Sequence, residues 1–201
     1  MRWFCMLVFL LLVLSAITKV HAKLKCSNDL LMCLEMSCND LTEENIDKNK
    51  DKINNLDDEG KAALHYAVQS GAVRCVKLLL EYGADPNLRT SEGQTTLQLV
   101  YAEEWSCEGC TLALLEGGAD PSATDNHGQT AMFNLNLYKC PECMRHIVKW
   151  GGYVDAKRKD GETSLCLLVD EEEEIVKDVY KPYLNTLKEL CADPTIKCSD
   201  G

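Results

Sequence analysis

Residues 60–87 have the sequence GKAALHYAVQSGAVRCVKLLLEYGADPN, which carries the clearest structural pattern of the chain. It contains two apolar helical segments, one shortly after Gly60 and one over Val76–Leu80, and it ends in the sequence Gly83-Ala84-Asp85-Pro86. A glycine relieves the left-handed conformation that follows a helix, and a proline prevents the helix from continuing. The stretch therefore predicts one helix–turn–helix unit.

The same unit recurs along the chain. Glycines with similar flanking residues follow each other at spacings of 33, 35 and 33 residues, and a second series marks the end of each second helix. The first series is Gly60, Gly93, Gly128 and Gly161, and the second is Gly83, Gly118 and Gly151. A period of this length indicates a solenoid, in which each unit buries its apolar side only on its neighbours.

This pattern resembles the ankyrin repeat family. Residues 60–67, 76–80 and 83–87 match the family's G-x-T-P-L-H-x-A, V-x-L-L-L and G-A-D-x-N motifs. The resemblance implies an all-α solenoid of paired helices with β-hairpin loops, in which His65 orders the loops by hydrogen bonding. It also implies an ankyrin repeat domain over residues 57–201 with a short C-terminal tail. The four repeats that we assign are residues 57–89, 90–124, 125–157 and 158–195.

The first 22 residues predict a signal peptide. A positive start at Arg2 precedes an apolar run from Trp3 to Leu14, and Val20-His21-Ala22 suits a cleavage site. Because a membrane helix needs about 20 apolar residues, we expect no membrane span and a secreted, extracellular chain that begins at Lys23. Residues 23–56 predict a degenerate capping repeat, since the terminal units of a solenoid have one side in water.

The mature chain is predicted to be strongly acidic. The full chain has 21 basic and 32 acidic residues, and removal of Arg2 and Lys19 leaves 19 basic residues against 32 acidic ones. Such a charge repels phosphate backbones, so we expect no nucleic-acid partner. It favours solubility or a basic partner.

Eleven of the twelve cysteines remain once Cys5 leaves with the signal peptide. In an oxidising environment most of them should form disulfides, and the odd count predicts one free thiol or an intermolecular disulfide. We assign the free thiol to Cys75, which has no cysteine three residues before it. Cysteines near the two ends are further disulfide candidates: Cys26, Cys33, Cys38, Cys191 and Cys198.

Two CxxC pairs, Cys107 with Cys110 and Cys140 with Cys143, lie at equivalent points near the starts of two second helices. Three interpretations compete: structural disulfides, a zinc site of four thiolates, and redox catalysis by an activated thiol. We favour a disulfide within each pair, because residues three apart on a helix have Cα atoms about 5 Å apart. Equivalent residues of adjacent helices lie about 8 to 10 Å apart, which is too far.

No arrangement of histidines and nucleophiles fits a known catalytic set, so we expect neither an enzyme nor a cofactor. The resemblance implies binding of a protein ligand through the concave face, which the hairpin tips and first helices form. The residues that we assign to this face are Tyr66, Gln69, Leu99, Glu103, Asn134, Leu137, Tyr138, Arg89, His127 and Lys159. The sequence thus predicts a secreted binding scaffold. The alternatives are a secreted effector or toxin-like protein, and a thiol or zinc protein that uses its CxxC pairs.

Overall fold

The computed structural model describes residues 43–100, 104–137, 140–169 and 174–193. The α-helices in these ranges are α1 (Glu43–Lys48), α2 (Ala63–Gln69), α3 (Val73–Glu81), α4 (Glu104–Glu116), α5 (Ala131–Leu137), α6 (Pro141–Lys149), α7 (Ser164–Val169) and α8 (Glu174–Glu189). Two 3₁₀ helices cover Lys50–Lys52 and Thr96–Leu99. The described residues contain no strand, only one isolated bridge between Lys157 and Thr163. The all-α prediction is confirmed, and the predicted hairpin loops are turns.

The helices form two parallel rows. The first row consists of α2, the Thr96–Leu99 helix, α5 and α7, in which each element contacts the next. The second row consists of α3, α4, α6 and α8 in the same relation. Each of the four predicted repeats thus contains one element of each row. This is the stacked arrangement that the repeat spacing predicts, because a single helix pair cannot bury its own apolar side.

A continuous apolar core lies between the rows. Side chains with 2% exposure or less come from every repeat: Leu64, Val76, Leu79, Leu97, Leu114, Met132, Met144, Ile147 and Leu187. Burial of one such side chain stabilises the fold by about 1.5–3 kcal/mol relative to an exposed one. The helix positions that the sequence marks as apolar are therefore those that hold the repeats together.

Side chains also join the loops that follow the second helices. Asn87 accepts a hydrogen bond from the Asp120 N–H (2.8 Å) and donates to the Gly118 carbonyl (3.0 Å). Asn54 makes the same two bonds to the first repeat, accepting from Asp85 (2.9 Å) and donating to Gly83 (3.2 Å). Since Asn54 lies in the predicted capping segment, that segment contacts the first repeat as a repeat would.

His65 is fully buried and makes two hydrogen bonds. Its Nδ1 accepts from the Ala62 N–H (2.9 Å) at the start of α2, and its Nε2 donates to the Leu88 carbonyl (3.1 Å) in the following loop. The ring therefore carries its proton on Nε2 and is neutral. Burial lowers the pKa of His65, in agreement with that state.

The second and fourth repeats depart from the first. The first element of the second repeat is a short 3₁₀ helix, and Thr95 is its N-cap. In the fourth repeat α7 ends at Val169 and α8 begins at Glu174, so the acidic run from Asp170 lies largely outside the described residues. Among the helices that the structure describes, none has both the length and the apolar character that a membrane crossing requires.

Candidate binding groove and cysteine cluster

Four tight turns precede the first-row elements. In each turn two backbone hydrogen bonds of 2.8–3.1 Å close the loop, as from Gly60 to Asp57 and from Asp57 to Lys61 in the first. Aspartate side chains hold two of the turns, since Asp57 accepts from the Lys61 N–H (2.8 Å) and Asp125 accepts from the Gln129 N–H (2.9 Å). The turns are therefore shaped by their own sequences.

Backbone hydrogen bonds stack the turns on each other. The donors are the N–H groups of Ser91, Asn126 and Lys159, and the acceptors are the carbonyls of Glu59, Glu92 and His127, each at 3.1 Å. Gly60 permits this approach: its φ is 74°, and a Cβ there would lie 2.7 Å from the Ser91 nitrogen. We call the surface formed by the four turns and the first row of helices the groove face.

The first depression on the groove face lies between the first two turns and has a volume of about 360 Å³. It is lined by Glu59, Lys61, Gln69, Thr90, Ser91, Glu92, Gln94 and Leu99. Gln69 and Leu99 were assigned to the binding face from the sequence. Leu99 is only 2% exposed, so it forms the floor of the depression rather than a protruding anchor.

The second depression lies between the third and fourth turns and has a volume of about 290 Å³. It is lined by His127, Gln129, Arg158, Lys159 and Asp160, which include the predicted residues His127 and Lys159. The pKa of Arg158 lies above its ordinary value because Asp160 accepts a hydrogen bond from it. Lys159 donates to the Asn126 carbonyl (2.6 Å) and remains exposed.

Tyr66 lies beside the first depression and is half-buried. Its hydroxyl donates to Asp57, and the Lys61 ammonium lies 5.6 Å from its ring centroid. Burial raises the pKa of Asp57, but the hydrogen bonds from Tyr66, Lys61 and Glu59 outweigh it, so the pKa lies below its ordinary value. The tyrosine hydroxyl is therefore engaged within the chain, and its ring is the part that a ligand can contact.

Two other predicted residues make bonds between repeats. Asn134 is buried and donates to the Gln98 carbonyl (2.5 Å). Arg89 is exposed and donates to the carbonyls of Gly93 (3.1 Å) and Thr124 (2.6 Å). Their geometry accounts for a structural role, and a role in binding stays a prediction for both.

The remaining predicted residues are Glu103 and Tyr138, which lie outside the described residues, and Leu137, which ends α5 and whose side chain is not described. Four lining residues were not predicted from the sequence, although each lies within three residues of a turn glycine: Lys61, Gln129, Arg158 and Asp160. That position is the signal that could have identified them.

The CxxC pair of the third repeat is joined as a disulfide, with Cα atoms 5.3 Å apart. Cys140 is the N-cap of α6, with the non-helical dihedrals φ −120° and ψ 82°. Its sulfur accepts a hydrogen bond from the Cys143 N–H (3.3 Å). The bond therefore closes the first turn of the helix from outside it.

The predicted bond between Cys107 and Cys110 is wrong, because the structure does not join these two residues. Both lie inside α4, where residues three apart have Cβ atoms about 5–6 Å apart. A disulfide needs a Cβ separation of about 3.5–4.5 Å, which the first cysteine reaches when it precedes the helix, as Cys140 does. The criterion based on Cα atoms alone did not separate the two pairs.

Three further cysteines also differ from expectation. Cys75, predicted as the free thiol, is disulfide-bonded, and so is Cys166, which the sequence analysis did not select. Cys191, a disulfide candidate, is an exposed thiol that ends the last helix in a left-handed conformation with φ 61°. It occupies the glycine position of the other repeats, from which its side chain points into solvent. Cys26, Cys33, Cys38 and Cys198 lie outside the described residues.

Three cysteine sulfurs of two repeats meet in the core. The Sγ atoms of Cys107, Cys140 and Cys143 all lie within 4.8 Å of one another, and all three residues are buried. Three thiolates at this spacing are a ligand set for a soft metal ion, but two of these sulfurs are joined in the disulfide. Cys110 is the fourth cysteine of the CxxC pairs, and burial raises its pKa to about 12. The geometry is that of one disulfide with the Cys107 sulfur beside it, 3.5 Å from the Cys143 sulfur.

Comparison with known proteins identifies the repeats. A family model described as ankyrin repeats in three copies matches residues 7–90 and 30–125, which together exceed half of the chain. An ankyrin repeat protein of Neisseria meningitidis serogroup B is 33% identical over 69 residues, or 34% of this chain and 27% of that protein.

Protein phosphatase 1 regulatory subunit 27 of Mus musculus is 43% identical over 54 residues, which are 27% of this chain and 35% of that protein. The Homo sapiens protein of the same name is 50% identical over 44 residues, or 22% of this chain and 29% of that protein. The chain thus spans no more than 35% of the length of these three relatives, and the similarity is one of repeats.

Proposed function

This chain belongs to the ankyrin repeat family, and from that we propose that it is a secreted, non-enzymatic scaffold that binds a protein ligand along its groove face. The observation that carries the proposal is the ladder of four turns, held by three backbone hydrogen bonds of 3.1 Å, with two open depressions along it. A surface fixed before binding loses little conformational freedom when a partner docks.

The chemistry of the depressions favours a protein over a small molecule. Small-molecule sites are enclosed and mostly apolar, with a few polar groups. Both depressions here are open and lined mainly by polar and charged side chains, including Lys61, Glu92 and Arg158. The relative named as a phosphatase regulatory subunit is in line with a binding role rather than a catalytic one.

The groove assignment is tested by charge reversal at an exposed turn residue. We expect Lys159→Glu to change the Kd of the partner about tenfold, equivalent to about 1.4 kcal/mol, because it inverts the charge at the second depression. Affinity rises if the partner presents a basic group there and falls if it presents an acidic one. A photo-crosslinking residue at position 127 first captures the partner from extracellular fluid, and titration calorimetry then measures its affinity. The matched control is Lys77→Glu, an exposed lysine on α3 in the second row. Equal changes in Kd from both variants, or no change from Lys159→Glu, would remove the groove from the proposal.

Secretion is proposed from the N-terminal sequence, and the Cys140–Cys143 disulfide supports it because such bonds persist in oxidising compartments. The full chain expressed in animal cells is expected in the medium with Lys23 as its first residue. N-terminal sequencing checks this. Retention of the uncleaved chain inside the cells contradicts it.

The effector alternative shares this architecture and differs in where the protein is made. It predicts expression confined to a gland that delivers secretions to another organism. An endogenous extracellular scaffold predicts expression near its partner. In situ hybridisation for the transcript separates the two.

A further inference from the structure

Ion pairs within the chain cancel part of the charge on the groove face. In the first turn, Lys61 pairs with Glu59 at 2.8 Å. In the fourth turn, Arg158 pairs with Asp160 at 2.6 Å, and it also pairs with Glu162. Because the fields of paired opposite charges largely cancel at a distance, a partner responds mainly to the exposed charges that have no ion pair.

The exposed charges without an ion pair have opposite signs at the two ends of the groove face. Asp58 and Glu92 are exposed at the first and second turns, whereas Lys157 and Lys159 are exposed at the fourth. Within the part of the chain that the structure describes, none of these four side chains forms an ion pair. The Lys159 ammonium donates to the neutral Asn126 carbonyl, so its charge is not cancelled.

The turns between the two ends keep the signs apart. Arg89 of the second turn is exposed and reaches the third turn, where it donates to the Thr124 carbonyl (2.6 Å). The third turn carries the acid Asp125, but this side chain is buried and accepts from the N–H groups of His127 (2.8 Å) and Gln129 (2.9 Å). The acidic part of the groove face therefore ends at the first depression.

We propose that the groove face binds a protein segment with basic side chains at the first depression and acidic side chains at the second. This inference rests on the proposed binding function and specifies the chemistry of the partner. Opposite charges across an interface attract each other, and like charges that face each other exclude the wrong partner. A purely basic segment would be repelled by Lys159 in the second depression, and a purely acidic one by Glu92 in the first.

The spacing of the repeats sets the distance between the two charged groups of the partner. The first depression lies between the first two turns and the second between the last two, so the depressions are two repeats apart. Packed helices lie about 8–10 Å apart, which separates the depressions by about 16–20 Å. An extended chain advances about 3.3 Å per residue, so about five or six residues span this distance.

Two other occupants fit the charges less well. A sulfated polysaccharide is negative along its whole length, so it would meet Asp58, Glu92 and a chain whose net charge is −11. In a dimer, a second copy of this chain would bring its Glu92 to Lys159. However, that copy would carry the same excess of acidic residues.

Synthetic peptides test the charge assignment without knowledge of the natural partner. The separated probe has blocked termini, two lysines, a neutral polar spacer of about five residues and two glutamates. The control peptide has the same composition, with lysines and glutamates alternating. Both are titrated into the ¹⁵N-labelled protein and followed by NMR at an ionic strength of about 0.1 M, where charges act over about 10 Å. We expect the separated probe to bind about tenfold more tightly, with shifts at the second and fourth turns.

Charge reversals assign each end of the probe to one depression. Glu92→Lys and Lys159→Glu should each weaken the separated probe about two- to tenfold, because each replaces an attraction by a repulsion. Lys159→Glu should not weaken a probe whose glutamates are replaced by serine, and Glu92→Lys should not weaken one without lysines. The matched control is Lys77→Glu on α3 in the second row, which should leave every Kd unchanged. If circular dichroism shows that Lys159→Glu does not fold, Lys157→Glu replaces it.

Four results overturn the inference. The first is equal affinity for the separated and alternating peptides, and the second is tighter binding of the separated probe by Lys159→Glu. The third is tighter binding of a heparin fragment than of the separated probe, which assigns the fourth turn to a sulfated polysaccharide. The fourth is a dimer in sedimentation that Glu92→Lys and Lys159→Glu both dissociate, which assigns the charges to a second copy.

The proposed function and this inference fail separately. The proposed function fails if Lys159→Glu leaves the Kd of the partner captured through position 127 unchanged. If Lys159→Glu instead raises the affinity for that partner, binding at the groove face stands and only the charge assignment is wrong.

Discussion

At the scale of single residues, His65 shows how one side chain couples pH to the stability of the fold. Its ring is buried and neutral, with Nδ1 bonded at the start of α2 and Nε2 bonded to the next loop. Burial lowers its pKa below the ordinary value of 6.5, so the unfolded chain binds a proton before the native chain does. The contribution of His65 is therefore complete above about pH 6.5 and is lost as the pH falls below it.

We expect the free energy of unfolding to fall as the pH drops below about 6.5, by up to about 1.4 kcal/mol per pH unit from this residue. His65→Gln should remove that slope, because the equivalent Gln98 accepts from the Thr95 N–H (2.9 Å) and donates to the Gln129 carbonyl (2.5 Å) without titrating. Urea denaturation at several pH values measures it. The control is the exposed His127→Gln, and an unchanged slope in His65→Gln contradicts the assignment.

The pairing of the cysteines was the feature that the sequence predicted least well. The spacing of the CxxC pairs was visible, but the difference between them depends on where a helix begins. Cys140 precedes α6, whereas Cys107 lies in the second turn of α4. A shift of a few residues in a helix boundary decides whether two Cβ atoms can approach, and sequence patterns define such boundaries least well.

At the scale of elements, the junctions between repeats use one recurring side-chain position. Four residues after the stop glycine, Asn87 bridges to the next repeat, and Asp155 accepts from the Asp193 N–H at 3.1 Å. Ser122 holds this position in the second repeat, and its shorter side chain donates to Asp120 of its own loop (2.7 Å). The G-A-D-x-N motif was recognised in the sequence, but the partner of its asparagine lies in another repeat and required the structure.

We expect Asn87→Ala to destabilise the chain by about 1–3 kcal/mol, because it removes two hydrogen bonds between repeats. Asn126→Ala is the control, since Asn126 makes one longer bond to the Ser91 carbonyl (3.3 Å) and should cost less. Urea denaturation with an unchanged m-value gives the comparison. Equal losses in the two variants would contradict the importance of the bridge.

At the scale of the whole molecule, the stack of repeats was predictable because several sequence signals indicate it independently. The repeat period, the apolar helix faces and the loop motifs all indicate the same stack. A fold can be predicted from a sequence when several such signals agree. The groove residues were less predictable. Which side chains line a depression depends on the short backbone bonds between turns, and these depend on the stack.

The stack also makes stability local, since each second-row helix contacts the next one: α3 with α4, α4 with α6, and α6 with α8. Leu114 in α4 and Leu187 in α8 are both fully buried, and each change to alanine should cost about 2–5 kcal/mol. Because each repeat contacts only its neighbours, destabilisation of α8 at the end of the row promotes unfolding of the last repeat alone. We expect Leu187→Ala to lower the protection of amide hydrogens against exchange in α8 and to leave the protection in α3 unchanged. Leu114→Ala should lower the protection in both α3 and α8. Equal loss in α3 from the two variants would show a core that unfolds as one unit.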